Sequence, residues 1–253
     1  MARMIPSLSE TVGRIAVACV GIACITVLGA CARPPASGAI NDPHEVENRQ
    51  MFAFNVAVDQ KVLKPFAGGT GGDGRGPLQT GIKHVADNLD APGDVVNNIL
   101  QLRLGQAMHN TLRFAVNTTI GLGGILDPAT AMGVEAKETD FGETLYVWGV
   151  DEGAYQVLPL VGPSTARDTA GKVVDYALNP LRFAIKEPES YVASAVKLAD
   201  KVGSRARHSD TVDSILYDSA DAYAQARLLY LQNRRYELGQ APADDTFEDP
   251  YAE

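Results

Sequence analysis

The chain has 253 residues, with 22 lysines and arginines against 31 aspartates and glutamates, which gives a formal charge of −9. This acidic balance argues against nucleic acid as a partner, because nucleic-acid binding normally requires a basic surface. The length is enough for one sizeable domain with its own core.

The first 30 residues predict a lipoprotein signal peptide that is removed. Arg3 and Arg14 supply positive charge, and the apolar segment 15–28 is too short to span a bilayer. Small residues then precede Cys31, whose thiolate is a nucleophile able to take a diacylglyceryl group. We therefore expect cleavage before Cys31 and covalent acyl chains on it. The alternative, an anchor helix with an incidental cysteine, is disfavoured by the short apolar run.

Cleavage would change the mature chain in three ways. Cys19 and Cys24 would be lost, so that Cys31 is the one remaining cysteine and a disulfide framework is excluded. The loss of two arginines and one glutamate changes the formal charge from −9 to −10. Ala32 follows the cysteine in place of the aspartate that retains lipoproteins in the inner membrane. The sorting rule of lipoproteins therefore predicts the outer membrane.

The mature chain is predicted to form an all-α domain. We expect a lipidated tether over 31–40, a helical domain over 41–239 and an acidic, disordered tail over 240–253. Apolar periodicity and capping signals predict the helices. Their expected ranges are 42–63 with Asp42 as the cap, 78–89, a helix opened by Pro92 to about 102, 105–120, 140–148, a helix opened by Pro163 to about 178, 188–202, and a long C-terminal helix over 209–238. Residues 153–160 are predicted to form a short extended segment. The glycine-rich cluster Gly121–Gly124 is predicted to end the helix that precedes it.

Several motifs that suggest chemistry lack the context they need. Residues 69–74 match G-x-G-x-x-G, but no strand precedes them, which favours a flexible glycine loop. Ser194 and Lys197 match S-x-x-K without its partner motifs, which favours an exposed helical turn. The four histidines are scattered, and none has a metal-ligand partner at the usual spacing. We therefore predict no catalytic residue, no metal site and no enzyme activity.

The apolar faces of the helices leave two interpretations open. The aromatic residues could form an ordinary core, or some helices could lie at a membrane interface and turn their apolar faces to lipid. Periodicity cannot separate the two, because core and acyl chains present the same apolar surroundings. The side chains concerned are Phe52, Phe54, Phe114, Trp148 and Phe183.

A series of short motifs extends in order from residue 41 to residue 240. They are Asn41-Asp42-Pro43, Glu45, Asn48 to Asn55, Asn88-Leu89, Pro92, Val96-Asn97, Leu100-Gln101, Arg113-Phe114, Asn117, Gly121 to Gly124, Asp127, Phe141 to Leu145, Gly149-Val150, Gly153, Tyr155, Leu158-Pro159, Gly162, Arg167-Asp168, Gly171, Asp213, Tyr217, Arg227 and Tyr230 to Arg235. On these motifs the chain resembles the MlaA (VacJ) family of outer-membrane lipoproteins.

The resemblance implies a non-enzymatic path for lipid. Family members form a ring of amphipathic interfacial helices in the periplasmic half of the outer membrane, around a central polar channel for phospholipids misplaced in the outer leaflet. The ring lies beside a porin trimer and passes phospholipid to the periplasmic carrier MlaC, which maintains lipid asymmetry. No cofactor is implied beyond the acyl chains on Cys31.

By matching position, residues 141–162 correspond to the channel-associated segment of the family. The resemblance assigns to it Phe141, Gly142, Thr144, Leu145, Gly149, Tyr155 and Pro159. The chain departs from the family pattern at Asp151, where some members have a second glycine, in the glycine-rich stretch 67–76, and at His84, where an aromatic residue is common.

Three other functions fit an outer-membrane lipoprotein. A structural tether would need a rod or a cell-wall-binding module, whereas this chain has frequent breaks. A lipid hydrolase would need a nucleophile with a base. A porin-assembly factor would lower porin levels when deleted, and this alternative remains open at the level of sequence.

Overall fold

The computed structural model describes residues 40–68 and 74–240. The predicted signal peptide and Cys31 lie outside these ranges, as do most of the tether, most of the acidic tail and most of the G-x-G-x-x-G match.

The described residues form helices and one short hairpin. In chain order they are α1 Glu45–Val58, a π-helical segment Asp59–Leu63, α2 Lys64–Gly68, α3 Pro77–Leu100, α4 Leu104–Thr119, α5 Pro128–Ala131, α6 Phe141–Val147, β1 Tyr155–Leu158, β2 Gly162–Thr165, α7 Ala166–Leu178, α8 Leu181–Ala184, α9 Glu189–Arg207, α10 Ser209–Asp213, a second π-helical segment Ser214–Asp218, and α11 Ala222–Glu237. The all-α class is confirmed.

The first helix starts two residues later than predicted. His44 occupies the N-cap position of α1 and makes no side-chain capping bond. The carboxylate of Asp42, the predicted cap, instead accepts hydrogen bonds from Asn48, Tyr223 and Arg227. The Arg227 guanidinium brings a full positive charge to this carboxylate, whereas a backbone N–H brings only a partial one, so the tertiary contact is preferred.

Two predicted helices are one in the structure. Pro92 lies inside α3 rather than at the start of a new helix. Proline removes one backbone hydrogen bond and favours a kink. Here α3 packs against both α4 and α9, and this packing holds the helix together across the proline.

The predicted C-terminal helix over 209–238 is divided. Ser219 has extended dihedrals of −83° and 147°, which end the second π-helical segment. Asp221 then caps α11, accepting a hydrogen bond of 3.0 Å from the Ala224 N–H. The sequence Asp-Ser-Ala-Asp before this helix is a start signal of the usual kind, and continuous apolar periodicity obscured it.

The hairpin replaces the predicted start of the next helix. β1 and β2 pair antiparallel, with Tyr155 opposite Thr165 and Leu158 opposite Gly162. The helix predicted from Pro163 therefore begins only at Ala166, and Thr165 caps it through the Asp168 N–H at 3.2 Å.

Two asparagines of α1 complete the free edge of β1. Asn48 donates to the Tyr155 carbonyl at 3.1 Å and accepts from the Val157 N–H at 3.0 Å. Asn55 repeats the arrangement at the hairpin turn, with the Leu158 carbonyl at 2.9 Å and the Leu160 N–H at 2.8 Å. The pairing fixes the hairpin to α1 without a third strand.

The apolar core is small. Its buried members are Phe52, Tyr155, Val157, Tyr223 and Leu231. Phe52 and Tyr223 stack edge to face with ring centroids 5.7 Å apart. The core therefore joins α1, the hairpin and α11, and leaves the long helices α3 and α4 outside it.

Candidate functional site

Polar and apolar residues exchange their usual places on α4. Leu104, Met108 and Leu112 follow one another at steps of four, and each is at least half exposed. The opposite face carries Asn110 and Arg113, which are buried with 1% and 8% exposure. The helix thus turns its apolar stripe outward and its polar stripe inward, the reverse of a water-soluble surface helix.

Other large apolar side chains share this exposure. They are Ile99, Leu102, Ile120, Leu122, Ile125 and Leu126 near α4, and Val173, Tyr176, Phe183, Tyr191, Val192 and Leu198 on α7 to α9. Of the aromatic residues left open by the sequence, Phe52 lies in the core, whereas Phe54, Trp148 and Phe183 are exposed by half or more. Apolar exposure on this scale marks a surface that contacts protein or lipid.

The inward face of α4 holds the segment that follows it. Arg113 donates to Thr130 at 2.7 Å, to the Val134 carbonyl at 2.8 Å and to Asp127 at 2.5 Å. Asn110 binds residue 137 through both its amide atoms. Burial raises the pKa of Asp127, but hydrogen bonds from Thr130 and Arg113 outweigh it and hold that pKa well below its ordinary value. Asp127 therefore remains a carboxylate opposite the Arg113 guanidinium.

A polar cavity of about 530 Å³ opens between α3, α4, α6 and α11. Its lining residues are Asp87, Asp90, Ala91, Asp94, Asn110, Arg113, Ala136, Glu138, Thr139, Asp140, Glu143, Arg234 and Glu237. Seven of these are carboxylates and two are arginines. The volume is within the range of small-molecule sites, and the lining suits a hydrated, charged group rather than an acyl chain.

Arg234 brings the C-terminal helix to this cavity. Its guanidinium lies 2.7 Å from Asp140, 3.2 Å from Asp168 and 3.2 Å from Glu237. Burial lowers its pKa, but Asp140 and Asp168 outweigh burial and raise it above the ordinary arginine value. The cation is permanent and fixes α11 against the start of α6.

Asp94 is the carboxylate of the cavity whose proton affinity changes most. Burial raises its pKa to about 7, the Thr139 N–H at 3.2 Å opposes this, and Asp90, Glu138 and Asp175 add to it. The charge of the cavity therefore changes near neutral pH.

We expect Asp94→Asn to stabilise the protein at high pH. The ordinary pKa is 3.8, so between about pH 4 and pH 7 the folded protein holds a proton that the unfolded chain has lost. Stability falls as the pH rises through this window, and the full penalty applies above it. A shift from 3.8 to about 7 corresponds to about 4 kcal/mol, and because Asp94 is only partly buried we expect the variant to gain about 2 kcal/mol at pH 8 and nothing at pH 4. Urea unfolding of both proteins at the two pH values measures the difference, and an equal shift at both would refute the assignment.

A network of buried side chains positions α6 beside the cavity. Thr144 is fully buried; its hydroxyl donates to Asn97 at 3.0 Å and accepts from Gln101 at 2.9 Å. Asp175 of α7 accepts from Asn97 at 2.7 Å and from the Phe141 N–H at 3.0 Å. Burial raises the pKa of Asp175. Asn97 of α3 and Asp175 of α7 thus fix Phe141 and Thr144, the two ends of the first turn of α6.

None of the seven predicted channel residues lines the cavity; Phe141 and Thr144 belong to this network, and Tyr155 lies in the apolar core. Phe141, Gly142, Thr144 and Tyr155 are buried, Leu145 is half-buried, and Gly149 and Pro159 are exposed. The residues of α6 that do line the cavity are Glu143 and its cap Asp140. The assignment of the seven to a lipid path stays a prediction.

Sequence reasoning missed the polar face of α3. Asp87, Asp90 and Asp94 recur at steps of three and four, which places them on one side of a helix. The same spacing relates Asn110, Arg113 and Asn117 on α4. The sequence does contain a signal for this face, namely polar residues that recur at a helical period beside an apolar stripe. The prediction used only the apolar stripe.

The motifs that suggested chemistry make ordinary contacts. Ser194 donates to the Ser190 carbonyl at 3.0 Å, and Lys197 pairs with Asp90. His84 lies 3.4 Å from the Ile125 carbonyl and His109 lies 2.6 Å from that of Glu135. Within 40–68 and 74–240, no cluster of three or more potential metal ligands occurs. In the same ranges no helix is both long enough and apolar enough to cross a bilayer.

Comparison with known proteins identifies the family. A family model described as MlaA lipoprotein matches residues 40–237. The intermembrane phospholipid transport system lipoprotein MlaA of Haemophilus influenzae is 34% identical over 203 residues, 78% of this chain and 79% of that protein. The Escherichia coli protein of the same name is 32% identical, covering 78% of each chain. An uncharacterised Rickettsia bellii protein is 34% identical over 77% of this chain and 76% of its own.

A solved structure agrees with these relatives. It comes from work on the structural basis for maintenance of bacterial outer membrane lipid asymmetry. It superposes with a TM-score of 0.66 at 30% identity, covering 78% of this chain and 98% of that one. The chain belongs to the MlaA lipoprotein family.

Proposed function

We propose that this protein removes misplaced phospholipids from the outer leaflet of the outer membrane and passes them to a periplasmic carrier, MlaC in the family. Its role would be to maintain lipid asymmetry without catalysing a reaction. The observation that carries the proposal is the reversed polarity of α4, with lipid-compatible side chains outside and a charged cavity inside.

A head group needs such a polar path. Moving a charged group through hydrocarbon without partners carries a large desolvation cost. The cavity beside α3 and α4 offers carboxylates, the Asn110 amide and arginines in place of water. The exposed stripe of Leu104, Met108 and Leu112 would contact acyl chains at the same depth. Head group and tails would thus remain in surroundings of their own polarity.

The exposed apolar residues suit helices that lie in the membrane interface. An interfacial helix needs an apolar face towards the acyl boundary and a polar face away from it. α4 supplies both faces, and α9 adds Val192 and Leu198. We infer a ring of such helices in the periplasmic half of the outer membrane, beside a porin trimer.

The membrane anchor would be the acylated Cys31. Each buried CH₂ contributes about 0.8 kcal/mol, so several acyl chains anchor durably where one is marginal. We expect Cys31→Ala to fold with wild-type stability but to lose function, because the protein would leave the outer membrane. Membrane fractionation and surface phospholipid assays measure both effects. A soluble Cys31→Ala protein that still restored lipid asymmetry would contradict this.

The test of the proposal is outer-leaflet phospholipid in a deletion strain. The proposal requires raised surface phospholipid, restored by the wild-type gene, with normal porin levels. Unchanged surface phospholipid together with lowered porin would instead support a porin-assembly factor. Unchanged values of both would leave a structural role in the outer membrane.

A further inference from the structure

An ion pair stands between the polar cavity and a second, more apolar space. This groove of about 670 Å³ lies between α3, the end of α7, α8 and α9. Leu89, Leu181 and Ile185 form apolar walls, and Lys186 and Lys197 bring two ammonium groups to it against the one carboxylate of Glu187, which accepts a hydrogen bond from Tyr191. A groove with apolar walls and cationic groups matches the chemistry of an acyl chain that ends in a phosphate.

The boundary between the two spaces is the contact of Asp90 with Lys197. Asp90 of α3 lines the polar cavity, and Lys197 of α9 lines the groove. Their side chains form an ion pair, and they are 58% and 43% exposed. Water screens an exposed pair, so little is lost when either member changes partner. This pair can therefore open without unfolding its surroundings.

We infer that Asp90 and Lys197 exchange partners with a zwitterionic phospholipid head group: the Lys197 ammonium takes the lipid phosphate, and the Asp90 carboxylate takes the lipid ammonium. The acyl chains then lie along the groove, and the cationic end of the head group enters the polar cavity. This inference rests on the proposed function and names the lipid class that its cavity accepts.

The exchange conserves charge pairing. Opening the ion pair frees one positive and one negative group, and a zwitterionic head group brings one of each. Both new contacts are charge-assisted hydrogen bonds, so no group is left unpaired. The order also fits, because carboxylates dominate the cavity, whereas Lys186 and Lys197 both line the groove. An anionic head group without an ammonium would leave Asp90 unpaired.

The protein should therefore retain phosphatidylethanolamine better than phosphatidylglycerol. One charge-assisted hydrogen bond corresponds to about a tenfold difference in affinity. Native mass spectrometry of the full acylated lipoprotein in detergent, offered dioleoyl forms of each lipid, measures retention directly.

Three variants separate recognition from structure. Asp90→Asn should lower phosphatidylethanolamine retention about tenfold and leave phosphatidylglycerol unchanged, whereas Lys197→Gln should lower retention of both. The double swap Asp90→Lys with Lys197→Asp rebuilds the ion pair but reverses its order along the lipid. It should be as stable as wild type and fail to restore retention. Lys64→Gln is the matched control, since it breaks a comparably exposed pair with Asp213 and neither residue lines the cavity or the groove; it should change retention of neither lipid.

Each contrary result has a distinct meaning. Retention restored by the double swap would show that the pair is a structural contact, and would overturn the inference. Equal losses of both lipids in Asp90→Asn would overturn it as well. A wild-type protein that retains neither lipid would overturn the proposed function itself, and the inference with it.

Discussion

Replacing Arg113 by alanine is expected to destabilise the protein by about 3–5 kcal/mol, the usual cost of leaving one member of a buried ion pair alone. The Arg113 and Asp127 side chains are 9% and 12% exposed. Without the guanidinium, Asp127 stays buried with only its hydrogen bonds to Asn117 and Thr130. Thermal unfolding of the purified lipoprotein measures the loss, and little folded protein should accumulate in the membrane.

A surface pair provides the control for this prediction. Lys83→Ala breaks the contact with Asp87, whose members are 44% and 31% exposed, and should cost between about 0 and 1 kcal/mol. If Arg113→Ala cost no more than Lys83→Ala, the pair with Asp127 would not be buried in the membrane-bound protein. The face of α4 that carries Asn110 and Arg113 would then be in contact with water.

The elements that the sequence predicts correctly are those fixed by local chemistry. Asp140 caps α6 as expected, accepting a hydrogen bond of 2.7 Å from the Glu143 N–H. Short-range contacts of this kind connect residues three apart, so the sequence contains both partners within one turn. The glycines at 121–124 also interrupt the chain as expected, with Gly123 and Gly124 at positive φ.

Elements fixed by distant partners were predicted less well. Asp42 has a cap-like setting, yet Arg227, 185 residues away, takes its carboxylate. Pro92 reads as a helix start, yet packing of α3 on α4 and α9 keeps the helix continuous. The edge of β1 is completed by Asn48 and Asn55, which lie more than 100 residues earlier. The local propensity of a segment carries no information about these long-range contacts.

The cavity was hidden for another reason. Periodicity shows that α4 has an apolar stripe and a polar stripe, but does not show which one faces inward. In water the apolar stripe is buried, and in a membrane interface it is exposed. Asp94, Asn110 and Arg113 can be recognised as cavity-lining residues only once it is known which stripe of α4 faces inward. The resemblance singles out residues 141–162 as channel-associated, which stays a prediction, and it does not point to the acidic residues of α3 that line the cavity.

The contact that positions α6 can be tested at Gly171. A Cβ at this position would lie 2.4 Å from the Gly142 nitrogen and 2.7 Å from its Cα. These are backbone atoms and cannot rotate away, so Gly171→Ala must separate α7 from α6. Overpacking of this kind costs about 1–3 kcal/mol or more. The shift should also break the hydrogen bond from the Phe141 N–H to Asp175, which holds the start of α6 beside the cavity.

We therefore expect Gly171→Ala to lose both stability and lipid retention, measured by thermal unfolding and by native mass spectrometry. Gly93→Ala is the matched control, since a Cβ there would meet nothing within 4 Å and the residue is inside α3. Alanine is the better helix former by about 1 kcal/mol, so this variant should be as stable as wild type or more so. Wild-type retention in Gly171→Ala would show that the distance between α6 and α7 does not control the cavity. Loss of retention with unchanged stability would instead place the α6–α7 contact directly on the lipid path.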